Sequence, residues 1–140
     1  LNKWLIFSPD LTLYQAGVAI AFFQPSTMDG TSSQEGRYLA ESLPSLPFRD
    51  NEFELALCSH FLFLYTEQLS LDFHKKAVAE MVRVAKEVRI FPLIYLDLNK
   101  SRYIPTICSE LHQAGITVEI LKVPYEFQRG GNKMMRICSK

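Results

Sequence analysis

The feature that most constrains this chain is a switch inside the stretch from Leu43 to Tyr65, LPSLPFRDNEFELALCSHFLFLY. Pro44, Pro47 and Asp50 make a turn-rich approach, and Asp50-Asn51 turns the chain into the near-continuous apolar run Phe53 to Cys58. A short apolar run bounded by turn residues suits a strand buried on both faces, as in a parallel sheet under helices. Ser59 and His60 then place polar groups where that strand ends. In open α/β sheets, ligands sit outside the carboxyl ends of the strands.

The flanking segments extend this pattern. Asp72 to Lys86 reads as a helix with Asp72 as its N-cap. Phe73, Ala77, Val78, Met81, Val82 and Ala85 form its inner face, and His74, Lys75, Lys76, Glu80 and Arg83 its outer one. Glu87 to Leu93 reads as the next buried strand, with Pro92 marking its end and Tyr95 and Asp97 just beyond. Pro105 opens a second helix with Ile104, Ile107, Cys108 and Leu111 inward, and Gly115 stops it. Ile116 to Val123 and Lys133 to Cys138 read as strands joined through Gly130-Gly131, which suits a hairpin.

Before the switch, Leu1 to Phe7 is apolar, and Ser8-Pro9-Asp10 has the chemistry of a helix start. Leu11 to Gln24 reads as a helix stopped by Pro25, Ser26 to Gln34 as a loop, and Gly36 to Ala40 as a short strand. The expected fold is α/β and mostly parallel, with a C-terminal antiparallel hairpin. Leu55–Cys58 should pair parallel with Val88–Phe91, and Val118–Val123 antiparallel with Met134–Cys138. Leu55, Leu57, Met81, Val82 and Ile90 are expected to be nearly inaccessible.

Composition narrows the function. A chain of 140 residues is one domain with a substantial core, and 48% hydrophobic content is ordinary for a globular protein. Fifteen basic and fifteen acidic residues cancel, so the charge carries no general nucleic-acid signal. Cys58, Cys108 and Cys138 lie in apolar patterns and read as reduced thiols of a cytoplasmic protein. No membrane span or signal peptide is expected.

The segment LPF-x-D-x-x-F-x-L-x-L-C-S-H, with Glu80 to Val84, Glu87 to Leu93 and Tyr125 to Asn132, resembles class I S-adenosylmethionine (SAM)-dependent methyltransferases. The ubiquinone/menaquinone-type enzymes are the nearest group in that resemblance. It covers the chain from about Glu35 onward and implies a partial doubly wound, Rossmann-like sheet, the C-terminal part of that fold. Residues 1–34 would form an N-terminal helical segment and loop. The implied cofactor is SAM. Ser42 and Leu43 would border its adenine, and Ser59, His60 and Phe61 its methionine side. Ser42 stands where the family often has an acidic residue for the adenine amine, which would leave the amine to Glu41 or to a backbone carbonyl. Phe61, Phe63 and Tyr65 could wall the cofactor or belong to the core.

The family's glycine-rich loop is absent. No Gly-x-Gly occurs in the chain, so the expectation is that it begins just before the third strand and lacks the first half of the fold. The isolated chain would then be inactive and bind SAM weakly or not at all. An edge beside Leu55–Cys58 would be exposed, opening a route to a homodimer. The methyl acceptor is not specified. The alternative is a truncated, non-catalytic methyltransferase-like interaction module.

His60 is the candidate catalytic residue, with two readings. Histidine as a residue type suits a general base near neutral pH, and the position equally suits a residue that shapes the methionine end of the site. Cys108 and His112 stand at i and i+4, and Cys58 and His60 share one strand face. Neither pair has partner ligands nearby in sequence, so no metal is expected.

Overall fold

The computed structural model describes residues 4–8, 19–23, 38–39, 43–94, 99–126 and 128–139. Seven strands form one sheet in the order β3-β2-β1-β4-β5-β7-β6. They are β1 (Trp4–Ser8), β2 (Ala19–Phe23), β3 (Tyr38–Leu39), β4 (Phe53–Ser59), β5 (Ala85–Phe91), β6 (Thr117–Lys122) and β7 (Lys133–Cys138). Helix α1 (Leu71–Val84) joins β4 to β5, and α2 (Ile104–Gln113) lies between β5 and β6.

The fold class is α/β. β4 pairs parallel with β1 on one side and with β5 on the other. β1–β2, β2–β3, β5–β7 and β6–β7 pair antiparallel. Following these directions across the sheet, β1, β3, β4, β5 and β6 share one direction, and β2 and β7 run against them. The parallel β4–β5 pair and the antiparallel β6–β7 hairpin match the sequence expectation. A parallel neighbour cannot be reached through a tight turn, and α1 supplies the crossover.

Two cross-strand rows make the centre of the core. Leu5, Ala56, Val88 and Ile137 stand side by side, as do Phe7, Cys58, Ile90 and Met135. All eight are at most 1% exposed. They cluster with Ala77, Val78, Met81 and Val84 of α1 and with Ile104, Ile107 and Leu111 of α2. Both helices therefore cover the same face. Each large apolar side chain buried in this way stabilises the fold by about 1.5–3 kcal/mol before entropy is counted.

The opposite face corrects the expectation for Leu55 and Leu57, which are half-buried. Their rows run Trp4–Leu55–Glu87–Cys138 and Ile6–Leu57–Arg89–Arg136–Glu119. Glu87 pairs with Arg89 and Arg136, and Arg136 with Glu119. A face that carries such charges stays partly hydrated, because burying ions without full compensation is costly. β4 is thus deeply buried on one face only. Val82 is likewise half-buried, whereas Met81 and Ile90 are fully buried as expected.

Other expectations change at the N-terminal end. Ala19–Phe23, inside the stretch read as a helix, is a strand held between β1 and β3. The chain does not start at the third strand, since β1 and β2 both precede β3 in the sheet. The edge beside Leu55–Cys58 is not open, since β1 occupies it. Among the described residues the sheet edges are β3 and β6.

α1 starts two residues earlier than its acidic residue suggested. Ser70 is the N-cap, its hydroxyl accepting the Phe73 N–H at 3.0 Å, and Asp72 sits in the first turn. The helix runs straight into β5 at Ala85, two residues before the expected strand start, and β5 stops before Pro92. α2 carries Pro in its first turn, and Gly115 follows with φ +78°, where an L side chain would be strained.

Candidate functional site

The strand order locates a crevice. From β1 the chain builds outward through β2 and β3, then returns past β1 to start β4 and continues through β5. The order 3-2-1-4-5 is the strand order of a doubly wound sheet, with β2 running against its neighbours, and the parallel pair β1 and β4 flanks the point where the order reverses. Ligands of such sheets bind outside the carboxyl ends of those two strands. Ser8 ends β1, Ser59 ends β4 and Phe91 ends β5, all in register at one edge.

Ser59 and His60 occupy that edge. The Ser59 hydroxyl lies 2.6 Å from Nδ1 of His60, a hydrogen bond in which either atom can donate according to the tautomer. His60 has φ +57°, in the left-handed region. A non-glycine residue held there costs roughly 1–2 kcal/mol, and such residues gather at functional sites. Its backbone N–H donates to the Phe91 carbonyl at 2.7 Å, and its ring meets Phe91 edge-on with centroids 5.7 Å apart. The site histidine is therefore fixed to the ends of two strands.

Behind His60 the chain folds inward. Phe61 is buried and packs against the half-buried Tyr65 at 6.1 Å. Phe63 is fully buried and faces His74, so of the three aromatic residues weighed as a wall it belongs to the core. Thr66 Oγ1 donates to the Phe63 carbonyl at 2.6 Å. The Ser101 hydroxyl, 2.7 Å away, is then left to donate to Thr66 Oγ1. This buried pair ties the turn to the segment that enters α2.

The loop between β6 and β7 lies at the same edge, because β6 runs parallel to β5. Three of its backbone N–H groups are used internally: Val123 N–H donates to Asn132 C=O, Gly131 N–H to Gln128 C=O and Gly130 N–H to the Glu126 carboxylate. Tyr125 stays 58% exposed with its ring 5.9 Å from Phe91. His60, Phe91 and Tyr125 thus form a line of rings along the carboxyl edge. Sequence reasoning carried Tyr125 only inside a family match, and its place in this line depends on the sheet.

The adenine-side residues are placed in part. Leu43 is buried at 4% exposure, and Ser42 lies outside the described residues, as do Glu41, Tyr95 and Asp97. Cys58, one residue before the site, is no nucleophile at neutral pH, since burial pushes its thiol up to about 12. Cys108 is half-buried on α2 and His112 exposed. Among the described residues no group of three or more His, Cys, Asp or Glu is placed to hold a metal. No helix among them is long and apolar enough to cross a membrane.

His74 is a residue the sequence reading put on the wrong side. It is fully buried, with Nδ1 2.8 Å from the Ser70 carbonyl and Nε2 2.9 Å from the Leu62 carbonyl. The signal was available: positions 74, 77, 78 and 81 form one i, i+3, i+4, i+7 stripe.

An uncharacterised protein of Methanocaldococcus jannaschii is 39% identical to the chain over 101 residues, covering 72% of this chain and 43% of that protein. The chain thus spans less than half the length of this curated relative. A SAM-dependent methyltransferase from Aquifex aeolicus, solved by crystallography, is similar with a TM-score of 0.41 and 19% identity, over 71% of this chain and 51% of that one. No protein-family model matches the chain.

Proposed function

We propose that the chain is a class I SAM-dependent methyltransferase or a fragment of one, nearest in sequence character to the ubiquinone/menaquinone-type enzymes. The observation that carries this reading is the switch point between β1 and β4, with the motif ending in Cys58-Ser59-His60 closing β4 there. SAM lies across the crevice with its adenine toward Ser42 and Leu43 and its methionine part toward Ser59, His60 and Phe61. The acceptor enters from the Phe91 and Tyr125 side. Methyl transfer is an in-line displacement at the sulfonium carbon, so the protein contributes mainly orientation and exclusion of water. His60, held by the Ser59 hydroxyl, takes a proton from the acceptor where that acceptor is an O–H or N–H nucleophile.

A second reading is favoured by one specific observation. The residues after β1 are Pro9-Asp10-Leu11, where the family's glycine-rich loop would approach the cofactor. A chain without that loop is a methyltransferase-like module that binds a partner rather than transferring methyl groups.

Titration of the chain with SAM and S-adenosylhomocysteine, followed by amide NMR, separates the two. The methyltransferase reading expects shifts confined to Leu43, Ser59 to Phe61 and Phe91. Binding is expected to be weak, since each unmet polar group on the ligand costs about 1–3 kcal/mol and about 1.4 kcal/mol is tenfold in affinity. Absence of these shifts at millimolar ligand overturns it.

A further inference from the structure

The Lys and Arg side chains of α1 and β5, and those of Arg49, Arg102 and Arg136, are paired with carboxylates. Among the described residues, Lys100, Lys122, Arg129 and Lys133 are the basic side chains left without such a pair, and each is exposed. They gather in one place. Lys100 bridges to Ile94 just past the carboxyl end of β5, and Gly131 packs against the Ile94 side chain. Lys122 ends β6 and Lys133 starts β7, directly opposite each other across the hairpin. β6 runs parallel to β5, so the group stands at the carboxyl edge, with Tyr125 in the same loop as Arg129. Like charges directly opposite in a sheet are destabilising. The acidic residue of the loop, Glu126, accepts the Gly130 N–H. The formal charge of the whole chain is zero, so the excess at this edge is one of placement.

We propose that this edge docks a single-stranded nucleic acid, with phosphates along Lys100, Arg129 and the Lys122–Lys133 pair and a base stacked on Tyr125. The spread of the cations selects the partner. One small anion gains little from exposed side chains, because water and salt screen each pair. A strand carries repeated charges, and every phosphate it has neutralised releases condensed counterions. The exposed ring selects further. Tyr125 is 58% exposed and lies 5.9 Å from the Phe91 ring. A single strand offers free base faces to such a ring, whereas a duplex keeps its bases stacked on one another. The inference rests on the proposed function in one respect only: a strand held here presents a nucleotide toward His60 as the methyl acceptor. Docking itself needs no cofactor.

The test is therefore made without SAM. Fluorescence anisotropy follows a labelled oligouridylate of about 10 nucleotides, within the site sizes of such surfaces. Salt is raised from about 50 to about 200 mM. Saturable binding is expected, its log association constant falling against log salt with a slope of about 2–3, as a few phosphate contacts on a single strand require. Joint replacement Lys122→Gln and Lys133→Gln should make that slope shallower by about 1.4. It removes an opposed pair of like charges, so its urea midpoint should not fall below wild type. Tyr125→Ala should weaken binding on the order of tenfold and leave the slope unchanged. Lys75→Gln with Lys76→Gln, both paired on α1, should bind as wild type does. Absence of saturable binding at about 50 mM salt overturns the proposal. So does a wild-type slope in the Lys122 and Lys133 variant, or full affinity in Tyr125→Ala. The same strand annealed to its complement should bind less tightly, and equal affinity would mark a surface for any polyanion and overturn the assignment. A failure of SAM to bind leaves this readout intact, and a failure of the strand to bind leaves the SAM titration to stand by itself.

Discussion

His60 donates its backbone N–H to the carbonyl of Phe91, and this 2.7 Å bond crosses from the end of β4 to the end of β5. It holds the candidate site histidine in a left-handed conformation at φ +57°. Glycine adopts that conformation without the Cβ clash that other residues meet. His60→Gly should therefore be more stable than His60→Ala by about 1 kcal/mol, although both remove the same imidazole. Urea unfolding of the two variants measures this. Equal midpoints would mean that the backbone relaxes out of the left-handed region once the ring is gone.

The two faces of the sheet should respond differently to truncation. Ile90 and Met81 are fully buried between the sheet and α1, and Ile90→Ala or Met81→Ala should cost about 2–5 kcal/mol. Leu57 lies on the face it shares with Arg89 and Arg136, where it is half-buried. Leu57→Ala should cost about half as much, because less surface leaves water there on folding. Denaturant unfolding of the three variants ranks the faces, and a Leu57 loss as large as that of Ile90 would show the second face to be covered.

The elements that were legible in sequence are those whose signals are local. Phe53–Ser59 stood out because turn residues bracket it, and β7 because a glycine-rich loop precedes it. β2 was misread because AIAFF sits in an unbroken apolar stretch with no period to mark it as a strand. Its conformation comes from pairing with Ile6 and Tyr38, contacts distant in sequence. The neighbour of β4 was likewise invisible. Nothing near Leu55 announces that Trp4–Phe7 will lie beside it. At the site, the position of Ser59 and His60 at a strand end could be read, but the left-handed backbone and the reach of the Tyr125 loop could not.

Two adjacent glycines hold that loop for different reasons. Gly130 has φ +82° and open space around it, so Gly130→Ala should cost about 1 kcal/mol through backbone strain. Gly130→Asn should cost less, because asparagine tolerates this region. A Cβ on Gly131 would stand 2.9 Å from Ile94 Cδ1 and 3.1 Å from two backbone atoms of Gln128. The backbone atoms cannot give way cheaply, so Gly131→Ala should cost about 1–3 kcal/mol and displace the loop. Amide shifts at Phe91 and Tyr125 should move in Gly131→Ala and stay near wild type in Gly130→Asn. The reverse pattern would mean the close approach to Ile94 does not hold the loop.

Acid should loosen the C-terminal end of α1. The Glu80 carboxylate accepts the Leu46 N–H at 2.7 Å and two N–H groups of Arg83 at 2.8 Å each. Arg83 also donates to the carbonyls of Leu46 and Phe48 and to Asp50. Together they clasp the turn that leads into β4. The hydrogen bond from Arg83 is the main reason that Glu80 titrates below the ordinary glutamate value, partial burial opposes it, and the Leu46 N–H adds to it. A depressed folded-state pKa means that the unfolded chain takes up the proton first as pH falls. The clasp therefore contributes in full above the unfolded glutamate value, near 4.3, and is lost as pH drops through the lower folded value. Glu80→Gln keeps the shape and removes the charge. It should destabilise the protein by about 1.5–3 kcal/mol at neutral pH, the range for hydrogen bonds to charged groups. The gap to wild type should narrow as pH falls below about 4.3. Unfolding midpoints from about pH 3 to pH 7 test this across the glutamate range. A gap that stays constant with pH would show that the Glu80 charge contributes nothing to the clasp.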